Sequence, residues 1–445
     1  MKQLGIVICN YNKAEALDAC ISSVLESTFQ NFDLYVVDNA SVDHSLRMLH
    51  EKYEHKLTIL ANKENLGGSG GFNTGLRKAM EKEYPYFMCM DNDAIVDENA
   101  IRNLYEFLEE HQECGVACAK VYHLENPDVV QQYGIEIDFE EFCVRSPYEG
   151  KIEDGTLPDF VYCDAVPACA MMIRGEVLEK IGVLPEENFL YWDDTEWCYR
   201  CNRAGFKVAC VGNAQALHAM GAKKETVNTF PTYYAWRNWL RFFLKYTPEQ
   251  DLEKLCDRFL NSMFVMLYES IYNGEDGRVK TVMAAYDDAL HGVTGKAAPG
   301  IIVNLKNRDE RLQSMLNTYQ SFNIISNQYL READLLKRRL EWIQHEKNPA
   351  SEKNKEAGIT VTVDGQDAAD CTIILCDYIF YVEDLSREAV YADIDGNILL
   401  TEDDIYHVMN YGYGHDTFIK MQKELFLRLA SQFRSREKEM MREMI

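Results

Sequence analysis

Two pairs of carboxylates and one histidine are the residues of this chain best suited to chemistry. Asp91 and Asp93 flank Asn92 at the end of the run Tyr86-Phe87-Met88-Cys89-Met90. Two carboxylates two residues apart offer hard oxygen ligands to Mg2+ or Mn2+, ions that are commonly shared with substrate phosphates. An Asp/Asn turn after a strand has the same spelling, so the triplet alone favours the turn. Asp193 and Asp194 follow Trp192 and open a helical pattern. Either could accept a proton from an attacking hydroxyl. Acids at a helix N-terminus are also stabilised simply by the dipole. His218 ends the apolar stretch Ala214 to His218. A lone histidine there is more often structural than a ligand. A metal on Asp91, Asp93 and a histidine would neutralise a diphosphate leaving group.

These residues gain weight from the elements that must position them. Leu4 to Cys9, Phe32 to Val37, Leu57 to Leu60 and Tyr86 to Met90 read as strands, separated by helical spacings over Lys13 to Glu26, a helix N-capped by Ser41 and running to Leu49, and a helix ending at Met80. Repeated βα units imply a parallel sheet with right-handed crossovers. Asp38, Asp91/Asp93, Asp193/Asp194 and His218 then fall at strand ends or loop-to-helix junctions, which converge on one crevice in such a sheet. The cluster Gly67, Gly68, Gly70 and Gly71 precedes a helix and permits close approach of a phosphate. It follows strand three, where a dinucleotide fingerprint would follow strand one, and no Walker lysine pattern accompanies it.

Further along, Asn99 to Glu110 and Gly175 to Ile181 read as helices. Gly115 to Val121, Phe206 to Val211 and Ala214 to His218 read as strands, and Thr232 to Tyr246 as an aromatic-rich helix. Beyond Pro248 the character changes. Leu252 to Tyr272 and Leu305 to His345 are long helical patterns, Ala350 to Gly358 a polar linker, Ile359 to Val363 and Thr372 to Cys376 strands, and Thr417 to Ile445 a charged helix with a solvated face. The expected division is 1–248, a helical region 249–348, and a small α+β region 349–445.

Composition narrows the partners. The 445 residues suffice for two or three domains with real cores, and a net charge of −26 argues against nucleic acid or anionic membrane as direct partners. The segment Leu4 to Cys9 is too short for a signal core, and no run reaches transmembrane length, so a cytoplasmic protein is expected. The 14 cysteines are scattered through apolar runs, as buried free thiols would be. Cys198 and Cys201 form a CxxC without a second pair nearby, which is weak evidence for zinc or redox chemistry.

The order of VICNYNKAEALDACISSVL, VVDNASVD, NLGGSGGFNTGL, MDNDA, FLYWDDTEWCYRCNRAGF, ALHAMG and YYAWRNWLRFFLKY resembles the inverting glycosyltransferases of family 2, with the GT-A fold, over roughly residues 3 to 246. The NLGGSGGF and WDDTEW wording is most similar to the galactofuranosyltransferase and rhamnosyltransferase branch. The resemblance implies a mostly parallel α/β sheet flanked by helices, with a mainly helical C-terminal region. It implies Asp91, Asp93 and His218 as ligands of Mn2+ or Mg2+, Asn92 standing where relatives often have a third Asp. Asp194 becomes the catalytic base and Asp193 a supporting contact. Asn10, Asn12, Asp38 and Asn92 would meet the nucleotide, Gly67, Gly68, Gly70, Gly71 and Asn73 would line the donor site, and Arg237 with Asn238 would face the diphosphate or acceptor.

The expected donor is a UDP- or dTDP-sugar and the acceptor a glycan or lipid-linked glycan of a surface polysaccharide. Membrane contact would run through a partner or the acceptor, and a homo-oligomer is compatible with the sequence. Trp192 and Trp197 suit either sugar stacking or a core. A sugar-1-phosphate nucleotidyltransferase would want a glycine-rich loop with Arg and Lys after strand one, where this chain has Asn10-Tyr11-Asn12-Lys13. A non-catalytic sugar-nucleotide-binding scaffold would not need the intact set of metal and base candidates.

Overall fold

Strands that are apolar at every position are buried on both faces, and the first half of the chain is built on them. A computed structural model describes residues 2–219, 227–305, 309–347, 358–363, 369–382, 385, 389–399 and 402–443. The chain begins with β1 (Leu4–Asn10), α1 (Ala14–Leu25), β2 (Phe32–Asp38), α2 (Ser45–Tyr53), β3 (Thr58–Ala61), α3 (Gly67–Met80), β4 (Tyr86–Asp91), β5 (Ala94–Val96) and α4 (Ala100–Glu110). It continues with β6 (Cys114–His123), β7 (Asn126–Gln132), β8 (Glu136–Asp138), β9 (Cys143–Arg145), β10 (Phe160–Cys163), β11 (Ala170–Arg174), α5 (Gly175–Ile181), α6 (Asp193–Arg203) and β12 (Lys207–His218).

The large sheet runs β10-β12-β6-β11-β4-β1-β2-β3, with β5 on β12 and β7 on β6. The β4-β1-β2-β3 part is parallel. Within β1, Leu4, Ile6 and Ile8 enter the core under α1 and α4, and Val7 enters the opposite core under α3. Gly71 brings α3 close, since a Cβ there would lie 2.2 Å from the Cys9 sulfur. Strand order reverses between β1 and β4, the point where open α/β sheets leave a ligand crevice. Asn10, Asp38 and Asp91 all end their strands at this edge, in register Cys9 to Asp91 and Asn10 to Asp38.

Four helices carry the chain onward: α7 (Phe230–Tyr246), α8 (Leu252–Tyr272), α9 (Asp276–His291) and α10 (Asp309–Thr318). After β13 (Ser321–Ile325), α11 (Leu330–Lys347), β14 (Gly358–Thr362), β15 (Cys371–Cys376), β16 (Val390–Asp393) and β17 (Ile398–Leu399), the helix α12 (Glu402–Glu443) returns to pack on α7, α8 and α9. A second sheet runs β14-β13-β15-β16-β17, parallel except for the last pair. No helix among the described residues is long and apolar enough to cross a membrane.

Several expectations change. The helical pattern over Leu305 to His345 is interrupted by β13, whose Phe322 and Ile324 are buried in the second sheet. The last helix starts well before Thr417, disguised by Gly412 and Gly414. Gly414 faces Tyr268 and Phe264 of α8 at a distance where a Cβ would make ordinary contact, and Gly412 faces open space, so neither glycine is demanded by packing. Phe206 to Val211 and Ala214 to His218 are one strand, with an irregularity between Val211 and Gln215. Ser41 does not cap α2. Its hydroxyl accepts from the Asn12 N–H and the Asn10 amide, and Asp43 accepts the Ser45 N–H. Most of the 350–358 linker lies outside the described residues. All 14 cysteines are free, Cys198 and Cys201 both buried.

Phe426 tests how firmly α12 belongs to the core. It is fully buried, with ring centroids 6.1 Å from Phe259 and 6.3 Å from Tyr286. Phe426→Ala is expected to lower unfolding free energy by about 3–5 kcal/mol in urea titration. A loss below about 1 kcal/mol, the scale of an ordinary surface change, would mean that α12 is not part of the cooperative unit.

Candidate functional site

The short strand β5 explains how two aspartates and a histidine far apart in sequence meet. It pairs antiparallel with the end of β12, setting His218 opposite Ala94, one residue past Asp93. His218 Nε2 lies 3.3 Å from Asp93 Oδ1 and 3.6 Å from Asp91 Oδ2. One ligand atom from each of the three lies within 4.8 Å of the others. Gln131 on β7 fixes the ring: His218 Nδ1–H donates to Gln131 Oε1 at 2.7 Å, and Gln131 Nε2 donates back to the His218 carbonyl at 3.1 Å. With Nδ1–H held by Gln131, Nε2 is the ring nitrogen that faces the two carboxylates, where it carries a proton toward Asp93 or, once deprotonated, could ligate a cation. Two carboxylate oxygens and an imidazole nitrogen suit Mn2+ or Mg2+. The residues therefore fit a divalent metal.

Charges are crowded here. Burial pushes Asp91 up to about 6, His218 opposing and Asp93 adding to the shift. Burial also acts on Asp93, but hydrogen bonds from His218 and Lys13 outweigh it and hold this carboxyl low. Burial disfavours the imidazolium of His218, yet Asp93 and Asp91 overcome that and raise it. Lys13, just after β1, bonds directly to Asp93 Oδ2.

The second carboxylate pair opens α6. Asp193 is buried, and burial followed by the charge of Asp194 pushes it up to about 7. Burial raises Asp194 as well, partly opposed by the Thr195 N–H and hydroxyl that its Oδ1 accepts. Model-peptide behaviour, ionisation near pH 3.9, therefore does not carry over to this pair.

The approach to α6 is held in an uncommon backbone. Phe189, Tyr191 and Trp192 have φ of 65°, 62° and 64°. Such residues cost roughly 1–3 kcal/mol each and persist only where the surroundings fix them. Here α7 does the fixing. The Asn238 amide donates to the carbonyls of Asn188, Leu190 and Tyr191 at 2.9, 2.9 and 3.0 Å. Arg237, fully buried between the rings of Tyr233 and Tyr234, donates to the Asn188 and Gly295 carbonyls. Glu196, buried one turn into α6, is tied to Lys245, Tyr246 and Asn188. On the other side Gly68 N–H donates to the Phe189 carbonyl at 2.8 Å, and a Cβ on Gly67, at φ +78°, would lie 2.0 Å from that oxygen. Glycine at 67 is what lets the two loops meet.

Two cavities share this centre. The larger, about 700 Å3, is bounded by Tyr11, Lys13, Asn39, Asn65, Gly67 and Asp93, among others. The second, about 450 Å3, is bounded by Trp192, Asp193 and Asp194. Gly68, Asp91, Tyr191 and His218 line both.

Of the expected nucleotide contacts, Asn92, Gly67 and Gly68 face the larger cavity. Others turn inward. Asn10 is buried, donating to Asp38 at 3.3 Å and accepting from Asn92 at 2.6 Å, so Asn10 and Asp38 brace the strand ends. Asn12 is exposed and accepts the Val42 N–H. Gly70 packs against Leu66 and Gly71 against Cys9. Asn73 is buried against the Leu184 backbone. Arg237 and Asn238 clamp the 188–192 loop where they were expected to face a ligand. Trp197 is core, its N–H donating to the Gly182 carbonyl, whereas Trp192 packs on Phe242 and Phe243 beside the second cavity. Tyr11, Lys13, Asn39, Asn65 and Gln131 were missed. The first two sit in the very turn singled out after strand one. Gln131 lies in an edge strand with no distinguishing pattern. The end of ALHAMG, Met220-Gly221, lies outside the described residues.

Residues 5–182 match the family model described as Glycosyl transferase family 2. The chain is 32% identical over 110 residues to an uncharacterized glycosyltransferase of Haemophilus influenzae, a match covering 24% of this chain and 33% of that protein. It is 24% identical over 314 residues to a low-salt glycan biosynthesis hexosyltransferase of Haloferax volcanii, covering 66% of this chain and 94% of that one. The match thus spans a third of the first relative and nearly all of the second. A crystal structure of S. aureus TarS 1-349 in complex with UDP-GlcNAc aligns at TM-score 0.43 and 17% identity, over 66% of this chain and 82% of that chain.

Asn238→Ala isolates the clamp. Buried carbonyls stripped of a donor cost about 1–3 kcal/mol, so the melting temperature is expected to fall and amide exchange over 188–192 to accelerate. Unchanged exchange there would show that the loop holds its strained backbone unaided.

Proposed function

We propose that this chain, with a family 2 glycosyltransferase domain over residues 5–182, is an inverting, divalent-metal-dependent hexosyltransferase. It moves a sugar from a UDP- or dTDP-sugar to a hydroxyl of a glycan or lipid-linked glycan. The observation that carries this reading is the placement of Asp91 and His218 on the wall common to two cavities at the strand-order reversal, with Asp93 in the larger cavity and Asp193 and Asp194 in the second.

The roles follow from that placement. The larger cavity takes the nucleotide, with Tyr11, 44% exposed, offering a ring to the base. Mn2+ or Mg2+ would be held by Asp91, Asp93 and His218, where it neutralises charge developing on the leaving diphosphate. The second cavity takes the acceptor. Asp194 accepts the proton of the attacking hydroxyl, and Asp193, beside Gly68, keeps that hydroxyl in line. Attack from this side, opposite the diphosphate, inverts the anomeric carbon. The resemblance of NLGGSGGF and WDDTEW favours galactofuranose or rhamnose as the sugar. Similarity to a glycan-building hexosyltransferase supports a surface polysaccharide as product. Residues 1–248 form the catalytic region, working in the cytoplasm or at the inner membrane face.

The pH dependence has a definite sign. A base works deprotonated, and burial raises the Asp193–Asp194 pair, Asp193 to about 7. Transfer by the wild type is therefore expected to fall on acidification well before the pH of about 3.9 at which a free aspartate is half-protonated, and a plateau down to that pH would exclude these residues as the base.

Asp194→Asn is expected to lower turnover roughly 10²–10⁴-fold while calorimetry still registers donor binding. Binding lost together with turnover would assign Asp194 to the donor site. Thermal shift with UDP and dTDP supplies the ligand test: at 100 times Kd a bound nucleotide adds about 2.7 kcal/mol, and the Mn2+-dependent part should vanish in Asp93→Ala. No stabilisation by either nucleotide would refute the transferase reading.

A further inference from the structure

Lys13 stands where a metal and a diphosphate would both have a claim. Its ammonium bonds Asp93 Oδ2, while the other oxygen of the same carboxylate faces His218 Nε2 at 3.3 Å. Asp93 is 6% exposed and Lys13 33%, so the carboxylate is enclosed and the lysine reaches it from the open side. That side is the larger cavity, whose wall includes both residues. The backbone of Lys13 is fixed, since its carbonyl accepts the Leu17 N–H at the start of α1. A lysine's four-carbon stem is flexible enough to swing the ammonium away from that anchored backbone.

A divalent cation on Asp91, Asp93 and His218 would set two positive charges beside the ammonium, which is bonded to one of the same ligands. Like charges at such range repel strongly where water is scarce. Metal and ammonium therefore compete for Asp93. A lysine ammonium is a compact point charge on a flexible arm, suited to exchanging one oxyanion for another. The oxyanion that becomes available when metal enters is the diphosphate of a nucleotide in the larger cavity.

We propose that Lys13 is an exchange cation: it neutralises Asp93 in the empty site, leaves when metal binds, and then pairs with the donor diphosphate. Metal and nucleotide binding are coupled through this one side chain. Metal alone must displace the lysine without giving it a new partner and binds weakly. Metal with nucleotide binds tightly. This inference rests on the metal-dependent donor site proposed above.

The test is Mn2+ binding to the full chain, measured by calorimetry and by the paramagnetic signal of free Mn2+, with and without UDP. In the wild type UDP is expected to tighten Mn2+ binding about tenfold or more, within the usual range of site-to-site coupling. Lys13→Met should bind Mn2+ alone about tenfold tighter than wild type and lose most of the UDP effect, while Lys13→Arg keeps it. Lys13→Gln, which keeps a neutral donor to Asp93, should behave as Lys13→Met and serves if the methionine variant does not fold. Lys13→Met or Lys13→Gln binding Mn2+ alone no tighter than wild type, or retaining the full UDP effect, overturns the exchange while leaving the donor site standing. A wild type that takes up no Mn2+ even with UDP overturns both.

Discussion

Four carboxylates share one cleft, and their mutual repulsion is the constraint the rest of the fold must meet. Two unit charges about 5 Å apart at an effective dielectric near 20 repel by roughly 3 kcal/mol. Asp91, Asp193 and Asp194 show this together with burial in their raised proton affinities. Asp93 escapes because two cations reach it. Such a cluster persists only on a frame that cannot relax, and the frame is a sheet buried on both faces, with Asp91 and Asp93 at the end of β4 and Asp193 and Asp194 at the start of α6. The same repulsion makes the cleft receptive to a divalent cation.

The frame was legible in the sequence because its signals are local. Apolar runs ending in Asp38 and Asp91, the glycine cluster before α3, and helical spacing over α1 and α7 each report themselves within about a dozen residues. So do the metal candidates, since Asp91 and Asp93 share a turn. His218 joined them only through order along the chain, because the β5–β12 pairing that delivers it is a long-range contact.

The roles of individual polar residues were harder to read. Asn10, Asp38, Asn73 and Arg237 are polar residues beside a cleft, and sequence cannot tell a side chain that lines it from one that braces it. Arg237 and Asn238 look like ligand groups by type. Their partners are backbone carbonyls of a loop whose positive φ values no propensity would assign to Phe, Tyr and Trp. Beyond residue 300, β13 was hidden because five residues between two helices are too few to interrupt a helical pattern, and the start of α12 because Gly412 and Gly414 read as breaks although both lie inside the helix.

The packing of α12 also orders events in time. Asp91, Asp93, Asp194 and His218 lie in the first half of the chain, but the clamp on the 188–192 loop belongs to α7, and α7 rests on a core closed by Phe426 and Phe433 of α12. At about 5–20 residues per second, synthesis from Asp194 to the end of α12 takes roughly 12–50 s. During that interval a nascent chain carries every acidic group of the cleft without the helix layer that holds the Asp193–Asp194 turn in place. The turn that carries Asp193 and Asp194 thus gains its full packing support only once α12 is in place.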